Sequence, residues 1–114
     1  MAFAALKEAG EVVTWGDVVC GGNCSAVADR LAAGVSCIFG NKWAFPALKV
    51  AGEVVTWGHD DYGGDSSAVA DLLAAGVSSI VGNECAFAAL KETGKVVTWG
   101  HADLGGDSSA VAQP

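Results

Sequence analysis

Apolar residues in this chain fall into short runs bounded by glycine, and the runs differ in period. The segment AF-x-AL-K begins at Ala2, Ala44 and Ala86 and gives way to Gly10, Gly52 and Gly94. VVTWG follows at 12–16, 54–58 and 96–100, built from the β-branched and aromatic residues that suit a pleated surface. Two such runs joined by a short Gly-containing turn predict a β-hairpin. Alternation along VVTWG puts Val13 and Trp15 on one face and Val12 and Thr14 on the other. Both faces are apolar, so the sheets are expected to be covered on each side. A Gly-Gly loop then leads into DSSAVADLLAAG, where the period changes. Val69, Leu72 and Leu73 form a helical stripe, Asp65, Ser66 or Ser67 can cap its start, and Gly76 ends it. A helix of two to three turns depends on packing to hold it in place. VSSIVGN reads as a third strand that returns the chain to the next AF segment.

The cycle is a true repeat. Residues 2–43 and 44–85 share 29 of 42 positions, and 44–72 and 86–114 share 21 of 29. A period of this size predicts a stacked or radial array in which each unit contacts its neighbours. The expected fold is mainly β with short helices, each unit giving three short antiparallel strands and one short helix. The whole chain, 1–114, is expected to be a single repeat domain with units 2–43, 44–85 and 86–114, the last incomplete. Trp15, Trp57 and Trp99 share one repeat position, as do Gly16, Gly58 and Gly100; the tryptophans are expected in the core or between units. Asp65 and Asp107 share the capping position.

The order V-x-x-I, AF-x-AL-K, G-x-VVTWG and Gly-rich loop resembles the RCC1-type β-propeller repeat, whose hairpin signature runs ALT-x-x-G-x-V-x-x-WG. Leu48, Gly52, Val54, Val55, Trp57, Gly58, Gly63 and Gly64 carry the match, together with their counterparts one period away. Similar tandem repeats, called RCC1-like or HERC-like, are abundant in proteins of unicellular algae. The resemblance implies an incomplete RCC1-like propeller or a solenoid-like array. It does not extend to nucleotide exchange or chromatin binding, because no residue matches a motif for either. RCC1 repeats are longer and usually close a seven-bladed ring, and they more often have a loop and outer strand where SAVADLLAAG stands here.

Composition narrows the partners. The chain is 52% hydrophobic and 17% charged, with net charge -7 and only six basic residues. That balance is globular, and it argues against nucleic acid, which needs clustered Lys and Arg. No apolar run is long enough for a transmembrane helix, and MAFAALKEAG lacks the form of a secretory signal. Met1 leads straight into the repeat, so a targeting segment is absent from this sequence or the chain is a fragment. The compartment is not readable from this terminus.

Candidate chemistry dissolves when the units are compared. Cys20 and Cys24 stand four apart, but their counterparts are Tyr62 and Leu104, and Ser66 and Ser108; Cys37 and Cys85 replace Ser and Trp. A zinc set is therefore not suggested, while a Cys20–Cys24 disulfide and free thiols both remain open. HDDYGGD has carboxylates suited to Ca²⁺ but not EF-hand spacing, and Asp65 has simpler work as a cap at a helix N-terminus. Ser66, His59 and Asp61 are the residue types of a hydrolase triad, repeated as Ser108, His101 and Asp103 on polar loops. No nucleophile elbow or phosphate loop is present. No enzyme activity and no cofactor are expected. Trp43 breaks the pattern and is a candidate partner contact or an edge-of-core residue; Pro46 also breaks it and suggests an edge strand or a bulge.

The array is open at both ends. Unit one begins without its leading strand, and the last unit stops before reaching one. Open repeat ends expose apolar faces and strand edges, so they predict self-assembly or a covering protein partner. The expected function is a non-catalytic structural or protein-interaction module, a small peripheral subunit docked on a larger assembly. Following the algal resemblance further implies an accessory subunit of an organellar membrane complex such as a photosystem, in the plastid. A fragment of an RCC1-like regulatory protein and a calcium-binding repeat module are the alternatives.

Overall fold

Each AF-x-AL-K and VVTWG pair folds back on itself around a three-residue turn. In the second repeat Lys49 N–H donates to Glu53 O (2.8 Å) and Gly52 N–H to Lys49 O (2.9 Å). Gly52 closes the turn at φ 90, a left-handed conformation that costs glycine little. The computed structural model describes residues 2–41 and 43–101. Over that span the strands are β1 (Ala2–Leu6), β2 (Val12–Gly16), β3 (Val35–Ile38), β4 (Ala44–Lys49), β5 (Val54–Gly58), β6 (Val77–Gly82), β7 (Ala86–Lys91) and β8 (Val96–Gly100). They make three small antiparallel sheets, β1-β2, β3-β4-β5 and β6-β7-β8. Over the described residues the protein is mainly β, an open array of blades with no closed barrel.

Each complete blade takes its outer strand from the preceding sequence unit. Val77 N–H donates to Gly52 O, and Val35 N–H to Gly10 O, so the turn of one hairpin is fastened to the first residue of the next blade. A bulge follows between Val35 and Cys37, and again between Val77 and Ser79. There the Ser36 and Ser78 hydroxyls donate to Leu48 O and Leu90 O, each at 3.0 Å.

One expectation is refined and a second corrected. The short helix expected in SAVADLLAAG is present and has 3₁₀ winding, at Ser25–Leu31 and Ser67–Val69. Most of its bonds run to the third residue back, as in Val69 N–H to Ser66 O and Leu72 N–H to Val69 O, with Leu73 N–H shared between Ala70 O and Val69 O. The segment is too short to repay α-helix nucleation, and its polar start is engaged locally, with Ser67 N–H donating to Asp65 Oδ1 at 2.9 Å. The tight winding still delivers Leu31 and Leu73 to the core, each 1% exposed. Pro46 is the one corrected. It lies fully buried in β4, the central strand of its sheet. It is tolerated there because its missing N–H falls where the neighbouring strand ends. Phe39 N–H still donates to Pro46 O at 3.0 Å, but β3 stops at Ile38. In the third repeat Ala88 occupies this position and β6 continues to Gly82. The proline thus shortens its outer neighbour by removing a ladder donor.

The two faces of each hairpin bury against different neighbours. Phe45, Ala47, Val55 and Trp57 join Ala2, Val12, Leu31 and Val35 in one core between the first and second blades. Ala44, Leu48 and Val54 turn the other way, into a second core with Leu73, Val77, Ile80, Phe87, Ala89, Val97 and Trp99. The middle blade is therefore covered on both faces.

Candidate interaction surface

The joint between blades is built on one tryptophan, one phenylalanine and one glycine. Cross-strand pairing sets Phe45 opposite Trp57 and Phe87 opposite Trp99. The rings stack with centroids 5.4 and 5.7 Å apart. Trp57 Nε1–H donates to Gly21 O, and Trp99 Nε1–H to Gly63 O, both at 3.1 Å and buried. The acceptor is always the Gly-Gly loop of the preceding repeat. The adjoining phenylalanine requires that residue to be glycine, since a Cβ on Gly21 would lie 2.7 Å from the Phe45 ring, and one on Gly63 2.5 Å from that of Phe87. Both glycines also hold φ near 112–113, a region that side chains rarely enter. Thr14 and Thr56 brace the loop from behind, donating to Gly22 O and Gly64 O. Lysines add a second fastening: Lys49 Nζ donates to Arg30 O and Lys91 Nζ to Leu72 O, each at 2.6 Å.

The first repeat has the same parts without a preceding blade. Phe3 and Trp15 stack at 5.6 Å, yet Phe3 is 55% exposed and Trp15 50%, where Phe45 and Trp57 are 9% and 5%. Val13 beside them is 41% exposed, against 0% for Val55. The Trp15 indole N–H has no hydrogen-bond partner among the described residues. The third blade shows the converse. Val96 is 44% exposed where Val54 is 3%, and Leu90 43% where Leu48 is 8%. A shallow apolar cleft of about 190 Å³ lies there, lined by Ser79, Val81, Ala88, Ala89, Leu90 and Val96. The chain thus presents two apolar faces at opposite ends, one made from each half of its own inter-blade joint. Exposed contiguous apolar surface of this kind marks interaction sites.

A second aromatic group stands beside the joint. Trp43 stacks on Tyr62 (5.1 Å), Tyr62 on His101 (5.6 Å), and His59 meets Tyr62 edge-on (4.9 Å). Asn41 Nδ2 donates to Tyr62 O. Trp43 is half-buried, its ring against Tyr62 and His59. His101 Nδ1 is buried in the column without a hydrogen-bond partner among the described residues.

The remaining candidates lie on loops. His59 Nδ1 accepts from the Asp61 N–H at 3.2 Å, and the Ser66 hydroxyl is bonded to Thr56 Oγ1 at 2.9 Å. Asp65 holds the turn before Ser67; the Ser67 hydroxyl and amide together pull its carboxyl below the ordinary 3.8. Cys24 is a free thiol whose Sγ takes the Thr14 hydroxyl at 3.4 Å, in the place Ser66 occupies one repeat later. The Cys20 side chain, Asp103, Asp107 and Ser108 lie outside the described residues. Gly16, Gly58 and Gly100 end β2, β5 and β8 with φ between 109 and 116. Among the described residues, no group of three or more His, Cys, Asp and Glu side chains is placed to hold a metal ion, and no helix is long and apolar enough to cross a membrane.

The arrangement of these blades is similar to that of solved structures. Yeast RCC1 (Prp20) bound to Kap60 superposes at TM-score 0.61 and 21% identity, over 87% of this chain and 27% of that one. The fold is RCC1-like. Prp20p of Saccharomyces cerevisiae, solved in work on its binding to Gsp1p and histones, gives the same TM-score and identity over 28% of its length. Human WBSCR16 follows at TM-score 0.51 and 18% identity, over 32% of its length. This chain therefore spans about a third or less of the RCC1-like proteins it matches. No protein-family model and no curated protein sequence matches it.

Sequence reasoning reached Trp15, Trp57 and Trp99 but missed their partners. Phe3, Phe45 and Phe87 were legible as the residues opposite tryptophan in a hairpin register. The glycine carbonyls left only the Gly-Gly pair as a trace. The Trp43–Tyr62–His101 column left none, because Trp43 and Tyr62 each depart from the repeat.

Proposed function

We propose that this chain is a non-catalytic protein-interaction module whose two end faces are its binding surfaces, and that it serves as a small peripheral subunit docked on a larger assembly. The observation that carries this is the exposure series. Phe3, Val13 and Trp15 stand open while the same positions are closed in the next two repeats, and Leu90 and Val96 stand open where Leu48 and Val54 are closed. Leaving a large apolar side chain in water forgoes about 1.5–3 kcal/mol of burial, so these faces favour any protein that covers them. RCC1-like neighbours described with Kap60, Gsp1p and histones support a protein partner. The net charge of -7 favours protein over nucleic acid. The small share of those neighbours that the chain spans also favours a second reading, a portion of a longer RCC1-like regulatory protein.

The test is photo-crosslinking in cells that make the protein. p-Benzoylphenylalanine replaces Phe3, Val96 or, as an exposed control at a hairpin tip, Val50. Discrete protein adducts from positions 3 and 96, absent from position 50, are expected. Equal or no crosslinking at all three would sink the interaction reading.

A further inference from the structure

We infer that the free edge of β6 binds a second copy of itself: β6 of one chain pairs antiparallel with β6 of another, joining two three-stranded sheets into one of six strands. The contact is made through the backbone of one strand and is separate from the two end faces.

Among the described residues β6 pairs with β7 alone, so its other edge carries no strand. The ladder shows which groups face that edge. Asn83 N–H donates to Ala86 O at 3.0 Å, and Val81 opposite Ala88 and Ser79 opposite Leu90 continue that register. Hydrogen-bonded and non-hydrogen-bonded pairs alternate along an antiparallel ladder. Ile80, opposite Ala89, and Gly82, opposite Phe87, therefore turn their N–H and C=O groups away from β7. These outward groups flank Val81, whose side chain is 67% exposed, while Ile80 is buried in the core.

Edge strands are normally guarded by charge, by proline or by shortness. β3 is guarded: it is four residues long and stops where it meets Pro46. β6 runs for six residues, VSSIVG, with no charge and no proline, and β7 beside it has Ala88 where β4 has Pro46. Its one bulge lies at the far end, between Val77 and Ser79.

The symmetry of these groups identifies the occupant. Two antiparallel copies with Val81 on the two-fold axis set Ile80 of each opposite Gly82 of the other. Those are the residues whose groups face out, so each opposed pair exchanges both of its hydrogen bonds. Val81 meets Val81 of the other copy in the close, non-hydrogen-bonded pairing, where Cβ atoms approach to about 4.5–5.5 Å. Ser79 stands opposite Asn83. The strands bring no charge into the contact, so the net charge of -7 lies outside it. The interface is isologous and closes at two copies.

Sedimentation and amide hydrogen exchange on the full chain, across a range of concentrations, test this. The mass should rise from 11.4 kDa to twice that value, and the Ile80 and Gly82 amides should become protected in step with it. Val81→Lys and Val81→Glu each put like charges on the two-fold axis and should each give a monomer. Val81 is exposed, so both variants keep the core, and circular dichroism should show them melting cooperatively. Mixing the two sets opposite charges on the axis and should restore the doubled mass. Val81→Cys should form a disulfide-linked dimer under mild oxidation, beyond any formed by the wild-type thiols, and Ser79→Cys should not. A wild-type monomer at all concentrations overturns the inference. So does association that survives Val81→Lys or Val81→Glu, a mixture that stays monomeric, or rapid exchange at Ile80 and Gly82 in the associated form.

Discussion

Replacing Gly63 by alanine tests the joint at its narrowest point. The new Cβ would lie 2.5 Å from Cε2 and 2.6 Å from Cδ2 of Phe87. The ring has nowhere to retreat. Its opposite edge is packed on Gly82, where a Cβ would also lie 2.5 Å away, its face is stacked on Trp99, and it is 2% exposed. Two costs add: left-handed backbone for a residue with a Cβ, about 1–2 kcal/mol, and overpacking, about 1–3 kcal/mol. Gly94→Ala isolates the first, because Gly94 has φ 91 and nothing within 4 Å of a Cβ. The loss of chain entropy in the unfolded state is common to both substitutions and cancels. Urea unfolding should therefore place Gly63→Ala about 1–3 kcal/mol below Gly94→Ala, with an unchanged slope. Adding Phe87→Leu to Gly63→Ala should recover part of that difference, as expected for residues in contact. If the two glycine variants are equal within about 0.5 kcal/mol, the ring is not clamped and the account of the joint is wrong.

Other substitutions probe separate parts of the same design. Trp57→Phe should cost about 1–3 kcal/mol by urea unfolding, because Gly21 O is left buried and unpaired; a neutral result would mean the bond is not formed. Pro46→Ala restores a ladder donor, so the amide at position 46 should become protected from hydrogen exchange as β3 extends towards the length of β6. Rapid exchange there would show that something other than the proline ends β3. Asp65 has a lowered pKa in the folded state, so its contribution is present above the ordinary carboxylate range and is lost as pH falls through it. Asp65→Asn keeps the Oδ1 acceptor without the charge and should flatten the fall in Tm between about pH 5 and pH 3. An unchanged slope would place the acid sensitivity elsewhere.

Much of this was legible in the residues. The period and the hairpins follow from Gly spacing and alternation along the chain. Trp57 could be placed between units because it recurs with its face apolar. Its acceptor could not be found, because a backbone carbonyl has no side-chain signature. Pro46 reads as an edge residue by itself, and only the early end of β3 explains its central place. SAVADLLAAG has helical spacing, but period alone does not distinguish 3.0 from 3.6 residues per turn over so short a span. Trp43 reads as an off-pattern tryptophan, and its burial depends on Tyr62 and His101, which no local rule connects to it.

The bonds from Trp57 and Trp99 to the loops of the preceding repeats each span 36 residues of chain. During synthesis the loop around Gly21 emerges first and waits for Trp57. At about 5–20 residues per second that interval is roughly 2–7 s, and it recurs unchanged at Gly63. The nascent chain therefore always trails one unlatched loop, and each newly made hairpin finds its docking site already built upstream. Assembly runs in the direction of translation, one joint at a time.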